Sequence, residues 1–389
     1  MTNVKYKHFN EQLEELKEKN NYRTLKKIKT DGSFIFFNNK KLLNLSSNDY
    51  LGLSGDHNLL KEFYHSLSND MYFPYSANSS RLLSGNNEEY EKIESKLAAI
   101  YQREACLLFN SGYHANTGII PAICDKSTLI LADKFIHASI IDGIKISNSR
   151  YLRYNHLDYE HLEKLIIEHG DNFRKIVVIS ESIFSMDGDK ADLKELVRLK
   201  KRHSFYLYID EAHAVGVSGI KGLGLCEEQN CIKDIDFIVG TFGKAYTSVG
   251  AFLICDNIIK DFLINKARTL IYTTALPPLN LKWTYFIANK MESFNDKRNA
   301  LNQIVNFFRK ELNDAGVEIG GSSQIVPVII GPNKKCIECS EFLENNGIFV
   351  PAVKQPTVPE GTARLRFSLH AGFSQKQITE IISLIKSII

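Results

Sequence analysis

The sequence predicts an α/β protein built on a mostly parallel sheet that helices cover on both faces. Six short apolar runs between residues 105 and 255 have the length and composition of buried strands. Helical patterns such as Asp158 to His169 and Ala191 to His203 separate most of these runs. Continuous apolar runs without alternation are typical of strands buried on both faces, which favours a parallel sheet. The candidate strands are Ala105 to Phe109, Thr128 to Ala132, Ile176 to Ser180, Tyr206 to Ile209, Phe237 to Val239 and Ala251 to Cys255.

The chain begins with a pattern typical of an amphipathic helix. Apolar residues between Phe9 and Ile28 recur at helical spacing, and Asp31-Gly32 would end the helix. Phe34 to Phe37 and Lys41 to Leu45 then predict a short hairpin, because Asn38-Asn39 suits a tight turn between them. We therefore expect an N-terminal helical arm and hairpin over residues 1–45.

After the hairpin a helix is expected to begin at Asn86, which would cap it ahead of two glutamates. Pro277-Pro278 interrupts the chain, and the pattern that follows predicts a smaller α+β domain. We therefore predict a large α/β domain over residues 46–280 and a C-terminal domain over residues 281–389. The predicted C-terminal elements are a helix (Leu281 to Leu312), a strand (Gln324 to Ile330), a helix (Cys336 to Asn345), a strand (Ala363 to Ser368) and a last helix (Ser374 to Ile388).

Composition excludes several classes of protein. Lys and Arg total 48 against 45 Asp and Glu, and a net charge of +3 provides no strong field for nucleic acid or an anionic membrane. The sequence has no secretory signal and no apolar stretch long enough to span a membrane, so we expect a soluble cytoplasmic protein. Of the seven cysteines, only Cys336 and Cys339 form a CxxC pair. Because no second pair completes a zinc set, no metal is expected, and an ordinary surface pair is the simpler interpretation.

Chemically useful residues follow three of the predicted strands, at the edge where α/β sheets bind ligands. Ser111-Gly112-Tyr113 would place free N–H groups at a helix N-terminus, which suits a phosphate, although such a turn can also be only a connection. Asp210 and His213 would provide an acid for a protonated ring nitrogen and a hydrogen-bonding imidazole. Lys244 follows a glycine and precedes small apolar residues, a setting that lowers the pKa of an amine. Together these groups indicate pyridoxal phosphate.

The chain resembles the α-oxoamine synthase family of pyridoxal-phosphate enzymes over nearly its whole length. A resemblance on so many ordered motifs implies fold type I, with a seven-stranded, mostly parallel sheet flanked by helices in the large domain. The matching segments are NLSSNDYLGL, SSRLLSGN, FNSGYHAN, DKFIHASIIDG, ESIFSMDGD, DEAHAVGVSG, TFGKAY, IYTTALPP and PTVPEGTARLRFS.

The resemblance also implies a role for each matching residue. Lys244 would be the Schiff-base lysine that later transfers the proton, and Asp210 would pair with the pyridine nitrogen. His137 would stack over the cofactor, and either His137 or His213 would polarise the thioester. The implied cofactor-binding set is Ser111, Gly112, Tyr113, His137, Ser185, Asp210, His213, Thr241 and Lys244, with Thr273 or Thr274 contributed by the partner in a homodimer with shared sites. The implied substrate residues are Arg23, Asn48, Thr357 and Arg366.

The activity implied by this family is the decarboxylative condensation of an amino acid with an acyl thioester. PTVPEGTARLRFS favours L-alanine and a pimeloyl thioester, and glycine with an acetyl or succinyl thioester is the alternative. Ala77, Asn78 and Ser79 stand where relatives have glycines, so the acyl chain and the thiol carrier stay open. A non-catalytic protein of this fold is the other alternative, and it would be expected to lack Lys244.

Overall fold

The computed structural model describes residues 4–67 and 74–389, and these group into two compact units. The sheet unit comprises Asn48–Ser185 and Asp189–Ala300. The terminal unit comprises Met1–Ser47, Met186–Gly188 and Leu301–Ile389. The first three residues of the predicted arm lie outside the described residues. The division into domains at residues 45 and 280 is a different partition of the chain, and it stays a prediction.

Strands and helices alternate through most of the chain. The strands are β1 (Lys29–Asp31), β2 (Phe34–Phe37), β3 (Lys40–Asn44), β4 (Ala105–Phe109), β5 (Thr128–Asp133), β6 (Arg150–Tyr154), β7 (Lys175–Glu181), β8 (Tyr206–Asp210), β9 (Phe237–Thr241), β10 (Ala251–Cys255), β11 (Ile325–Gly331), β12 (Ile348–Phe349), β13 (Ala352–Val353) and β14 (Ala363–Ser368). The helices are α1 (Lys7–Glu18), α2 (His57–Ser66), α3 (Glu88–Tyr101), α4 (Gly112–Ile123), α5 (Ala138–Ser147), α6 (Tyr159–His169), α7 (Leu193–His203), α8 (Leu225–Glu228), α9 (Asn257–Lys266), α10 (Arg268–Ile271), α11 (Pro278–Lys290), α12 (Asn295–Asp314), α13 (Asn333–Asn345) and α14 (Gln375–Lys386).

The sheet unit is built on a seven-stranded sheet of order β4-β10-β9-β8-β7-β5-β6. Neighbouring strands run parallel, except that β10 lies antiparallel between β4 and β9. All six strands expected in this region are present, and the mostly parallel sheet is confirmed. The strand β6 was not predicted, because most of its residues are at least partly exposed and its sequence, RYLRY, lacks an apolar run.

Helices α4 and α5 pack closely against one another beside this sheet. Ile119, Ile120 and Ile140 are fully buried in the core that α4 and α5 share with the sheet. A Cβ at Gly143 would lie 2.5 Å from the main-chain oxygen of Asn116, so a glycine is needed where the two helices meet. This close approach fixes the position of Asn116, whose side chain reaches the cavity described below.

The terminal unit contains two small sheets, ordered β1-β2-β3-β12 and β11-β14-β13. The predicted hairpin is present as β2 and β3, and Asn38 and Asn39 adopt φ values of 49° and 60° in its turn. Asparagine tolerates this left-handed conformation better than most residues, which explains the tight connection.

Three expectations were wrong in detail. The N-terminal helix ends at Glu18, because its residues are all exposed and Asn20 turns left-handed at φ 54°, and residues 29–31 form a strand instead. The helix expected over residues 281–312 breaks at a 3-10 turn (Met291–Phe294), where the buried Arg298 guanidinium donates to the oxygens of Met291 and Glu292. Asn87, not Asn86, caps α3.

The prediction that Cys336 and Cys339 form a surface pair was wrong. Both cysteines are buried on α13, and burial raises the pKa of Cys336 to about 12. Within residues 4–67 and 74–389, no helix is long and apolar enough to cross a lipid bilayer.

Candidate active site

A cavity of about 210 Å³ opens in the sheet unit at the carboxyl ends of the parallel strands. Since strand ends of this kind are where α/β sheets bind ligands, it is the candidate active site. Seven of the residues predicted from the sequence line it. The lining residues are Gly112, Tyr113, Asn116, His137, Ser139, Glu181, Asp210, Ala212, His213, Thr241 and Lys244.

The N-terminus of α4 forms one wall of the cavity. Ser111 caps the helix, and its hydroxyl accepts from the main-chain N–H of His114 at 3.2 Å. A Cβ at Gly112 would lie 3.8 Å from Cβ of Thr241 and would occupy the space between the helix end and the Thr241 hydroxyl. Glycine leaves this space open. Unpaired N–H groups and the helix dipole make this end suitable for an anion. Tyr113 is half exposed and donates to Asp142 Oδ2 at 2.6 Å.

Asp210 ends β8 and presents its carboxylate to the cavity. Its Oδ1 accepts from the N–H of Ala212 at 2.9 Å, and its Oδ2 accepts from Asn116 Nδ2 at 2.9 Å. The Asn116 side chain also accepts from the Tyr208 hydroxyl at 2.5 Å. Asp210 is therefore held by two donors and keeps a fixed orientation. Sequence reasoning did not single out Asn116, although it ends the quoted motif FNSGYHAN.

His137 caps α5 and lines the same cavity. Its Nδ1 accepts from the N–H of Ser139 at 3.2 Å, and the Ser139 hydroxyl lies 2.8 Å from the same nitrogen. Asn116 Nδ2 donates to that hydroxyl at 2.9 Å, so Asn116 links Asp210 to His137. Burial lowers the pKa of His137, with the Asp210 charge acting in the opposite direction. The ring is therefore neutral at physiological pH, and its proton is on Nε2.

Lys244 lies just beyond the end of β9, with its Nζ 2.9 Å from Nε2 of His213. The other ring nitrogen of His213 lies 2.7 Å from the Tyr50 hydroxyl, which donates to Asn48 Oδ1 at 3.0 Å. Since the hydroxyl proton is directed to Asn48, His213 Nδ1 is the donor to Tyr50 and Nε2 is left to accept from the lysine amine. The motif NLSSNDYLGL contains Tyr50, and nothing else in the sequence indicated its contact with His213.

Glu181 is a second acid in the cavity, and the sequence analysis missed it. It ends β7 directly opposite Asp210 in the parallel register, and its Oε1 accepts from the N–H of His137. Burial, and then the neighbouring charge of Asp210, raises the pKa of Glu181 well above its ordinary value. Burial and the neighbouring carboxylate therefore both favour the protonated form of Glu181. Its position at the end of β7, like that of Asp210 at the end of β8, is the signal in the sequence that indicates it.

The remaining predicted cofactor residues lie outside the residues that line this cavity. Ser185 is buried on the segment after β7. Asn110 Nδ2 donates to Thr273 Oγ1 at 3.1 Å and to the main-chain oxygen of Thr274 at 2.6 Å. In the loop that departs from the glycine-rich pattern, Asn78 adopts φ 53°, the conformation for which a glycine is usual.

Three predicted substrate residues belong to the terminal unit. Arg23 Nη2 lies 3.5 Å from Thr357 Oγ1, and Arg366 on β14 donates to Ser368 Oγ at 2.7 Å. The roles of these residues stay predictions. In the described part of the chain, no three His, Cys, Asp or Glu side chains converge as metal ligands would.

Comparison with known proteins identifies relatives over nearly the whole chain. The family described as "Aminotransferase class I and II" matches residues 40–385. A protein of Glaesserella parasuis serovar 5 with the provisional name 8-amino-7-oxononanoate synthase is 47% identical over 377 residues, which cover 96% of this chain and 99% of the relative.

Two solved structures are also similar. A serine palmitoyltransferase variant from S. paucimobilis, solved with a bound PLP–myriocin aldimine, has a TM-score of 0.89 at 26% identity and covers 99% of this chain and 97% of its own. An 8-amino-7-oxononanoate synthase from Francisella tularensis has a TM-score of 0.76 at 30% identity, covering 89% of this chain and 97% of its own. The chain thus belongs to the aminotransferase class I and II family of fold-type I pyridoxal-phosphate enzymes, and within it to the α-oxoamine synthases, which are acyltransferases.

Proposed function

We propose that the protein condenses L-alanine with a pimeloyl thioester and releases carbon dioxide, a thiol and 8-amino-7-oxononanoate, in biotin biosynthesis. The observation that carries this proposal is the meeting of Lys244, Asp210 and His137 in one cavity at the strand ends. The pimeloyl specificity rests on the high similarity to the Glaesserella protein over almost the full length of both chains. Coenzyme A or a carrier protein would provide the thiol.

The donor set fits pyridoxal phosphate. The N-terminus of α4 and the Thr241 hydroxyl suit its phosphate, Gly112 leaves room for it, and the Asp210 carboxylate suits its ring nitrogen. The neutral ring of His137 suits stacking, and Lys244 provides the amine that would hold the cofactor covalently. When bound, pyridoxal phosphate supplies an electron sink for a carbanion at the amino acid Cα.

The protein groups move one proton and place the two substrates. Lys244 Nζ, oriented by His213, takes the proton from Cα. The new bond forms between Cα and the acyl carbon, the carbon–sulfur bond breaks, and the thiolate leaves and takes a proton from solvent. The carboxyl group then leaves as carbon dioxide, and Lys244 returns a proton to Cα. His137 Nε2–H is a donor available to the thioester oxygen, and its neutral state lets it donate without carrying charge.

Glycine with an acetyl or succinyl thioester is the second candidate, as in glycine C-acetyltransferase (2-amino-3-ketobutyrate ligase) or 5-aminolevulinate synthase. Alanine and glycine differ by one methyl group, and a pocket can use this group to discriminate between them by only about 1 to 3 kcal/mol of binding free energy. Serine with a palmitoyl thioester also belongs in the comparison, because the serine palmitoyltransferase fold is so similar. A substrate panel separates these reactions.

The panel combines alanine, glycine and serine with pimeloyl, acetyl, succinyl and palmitoyl thioesters. Carbon dioxide and free thiol are both measured, so that simple thioester hydrolysis is not counted as condensation. We expect the highest kcat/KM for alanine with pimeloyl-CoA or the pimeloyl carrier-protein thioester. A preference for a glycine reaction would assign the corresponding sister activity and contradict the proposed substrate.

The lysine assignment has its own test. Borohydride reduction of the cofactor-loaded enzyme should bleach its colour and fix the cofactor to the peptide that contains Lys244. Lys244→Ala should abolish turnover and keep much of the cofactor affinity, because the phosphate site is separate. Lys201→Ala, an exposed lysine on α7, is the matched control and should change neither result. Near-normal turnover in Lys244→Ala, or no bound cofactor in the wild type, would contradict the assignment and favour a non-catalytic protein of this fold.

We further propose that the active unit is a homodimer in which Thr273 or Thr274 completes the partner's phosphate site. Lys244→Ala protein mixed with the Thr273→Ala, Thr274→Ala double variant should recover part of the activity, since one site in each hybrid dimer is intact. Sedimentation of a fully active monomer would rule this arrangement out.

A further inference from the structure

A half-buried histidine joins two loops next to the candidate active site. His156 follows β6, and its Nδ1 lies 2.8 Å from Asp133 Oδ1 while its Nε2 lies 3.1 Å from Asp189 Oδ2. Carboxylates only accept hydrogen bonds, so both ring nitrogens must carry a proton to satisfy this geometry. The arrangement therefore calls for an imidazolium between two carboxylates. We name Asp133, His156 and Asp189 the imidazolium bridge.

The surroundings of the bridge favour the charged ring. Phe135 stacks on His156 at 4.5 Å between ring centroids, and Phe184 meets it edge-on at 4.4 Å. Burial alone would lower the pKa of His156, but the hydrogen bonds to Asp133 and Asp189 raise it to about 9. Tyr154, Tyr159 and Glu181 also feel the charge of Asp133, and burial raises the pKa of each. The carboxylates that face the two ring nitrogens are therefore those of Asp133 and Asp189.

Each aspartate anchors one loop. Asp133 ends β5, accepts from the N–H of Phe135 at 2.8 Å and from that of Leu157 at 2.9 Å, and its side chain is fully buried. The segment that it fixes runs directly into His137. The second loop is closed by the bridge between Ile183 and Lys190.

Asp189 lies within that second loop, and its main-chain oxygen accepts from Phe184 N–H at 3.0 Å. Ser185 directly follows Phe184 in the chain. His156 thus ties the start of the segment that leads to His137 to the closed end of the loop that contains Ser185. None of the three residues of the bridge lines the cavity, so they can act on it only through these loops.

We propose that His156 is a positioning residue, which as an imidazolium holds the loops of His137 and Ser185 in the arrangement that binds the cofactor. The proposal rests on the proposed function only for the roles of His137 and Ser185. Its tests use cofactor binding and the charge of His156, so they stay informative even if the substrate panel gives a different acyl group.

The first test measures the charge directly. Protein labelled with ¹⁵N-histidine is examined by long-range ¹H–¹⁵N spectroscopy at about pH 8, between the ordinary histidine pKa of 6.5 and the raised value of about 9. We expect one imidazole with both nitrogens protonated, whose signal is missing in His156→Gln and present in His203→Gln. His203 is the matched control because it contacts a single carboxylate, Glu163, at 2.7 Å and does not line the cavity. Absence of an imidazolium signal that depends on His156 would overturn the proposal.

The second test measures pyridoxal phosphate affinity between about pH 7 and pH 10. Wild-type affinity should fall as the pH rises through about 9, where His156 loses its charge. His156→Gln should bind the cofactor on the order of 10-fold more weakly and lack this transition, since loop misplacement of about 1 Å can cost up to about 100-fold in function. His203→Gln should match the wild type.

Asp189→Asn is the second variant, useful if His156→Gln does not fold, since Asp189 is partly exposed and its loss leaves the contact with Asp133. Asp189→Asn should move the pH transition in cofactor affinity to lower pH, because it removes one of the two carboxylates that raise the pKa of His156. Asp189→Glu should return the transition to its wild-type pH. A purely structural role predicts lower melting temperatures with wild-type cofactor affinity and an unchanged pH profile. That result in either variant would overturn the proposal.

Discussion

Asn116 is the residue whose removal tests the site network most directly. Its side chain is almost fully buried and joins three groups: Asp210, Ser139 and Tyr208. The change to alanine leaves these partners in place but removes the amide that orients them. Because Ser139 in turn contacts His137, one substitution should disturb both the acid and the ring that are expected to flank the cofactor.

The magnitude follows from the three contacts. A hydrogen bond to a carboxylate contributes about 1.5 to 3 kcal/mol and a neutral one about 0.5 to 1.5 kcal/mol, and contributions within one network are not additive. We expect Asn116→Ala to lower the free energy of unfolding by about 3 kcal/mol. We also expect kcat to fall by roughly 10- to 100-fold, since a small misplacement of a positioning group has effects of this size.

Urea unfolding followed by circular dichroism measures the first quantity, and steady-state kinetics with the best substrate pair from the panel measures the second. Asn265→Ala is the control, because Asn265 makes one exposed contact with the Asp261 oxygen on α9, and its loss should cost less than about 0.5 kcal/mol. If Asn116→Ala loses stability but keeps normal kcat and cofactor affinity, the network supports the fold and does not orient the site.

Three other outcomes are expected. Thr247→Gly should raise the free energy of unfolding by about 1 kcal/mol, because Thr247 adopts φ 48° and its buried hydroxyl is without a hydrogen-bond partner among the described residues. Thr247→Ala keeps the left-handed strain, so it should raise the free energy of unfolding by less in the same urea assay. The free energy of unfolding should fall as the pH rises through about 9, since the raised pKa of His156 makes its contribution complete below about pH 6.5 and lost above about 9; the same titration of His156→Gln should lack this step. Arg366→Lys should raise the amino-acid KM about 10-fold or more with cofactor affinity unchanged, because lysine cannot reproduce bidentate carboxylate binding; equal KM values in steady-state kinetics would contradict that role.

The strands could be predicted where burial on both faces leaves an apolar run. β4 and β10 begin and end at the predicted residues, because polar or turn residues flank each run. β6 could not be predicted, since a partly exposed edge strand lacks that pattern. The N-terminal arm shows the opposite failure, because an amphipathic pattern continued past Glu18 into residues that do not form a helix.

The candidate site was predictable in its parts and not in their connections. Lys244, Asp210 and Gly112 each lie at or just after the end of a strand, and such a position can be read from the sequence. Asn116 and Tyr50 contact their partners only through tertiary packing, which brings distant segments to within hydrogen-bonding distance. Local patterns contain no information about such pairs.

The antiparallel strand β10 has a consequence for the mobility of the lysine. Parallel neighbours need a long crossover, but β9 and β10 pair antiparallel, and the segment 242–250 with Lys244 returns directly from Thr241 to its partner Ala251. Phe242 N–H donates to the Gly250 oxygen at 2.9 Å, and Ser248 N–H donates to the Phe242 oxygen at 2.9 Å. Because these bonds close the segment next to two buried, paired strands, the amide hydrogens of Phe242 and Ser248 should exchange with solvent slowly. Inserted residues here should disrupt the core itself, unlike insertions in ordinary surface loops.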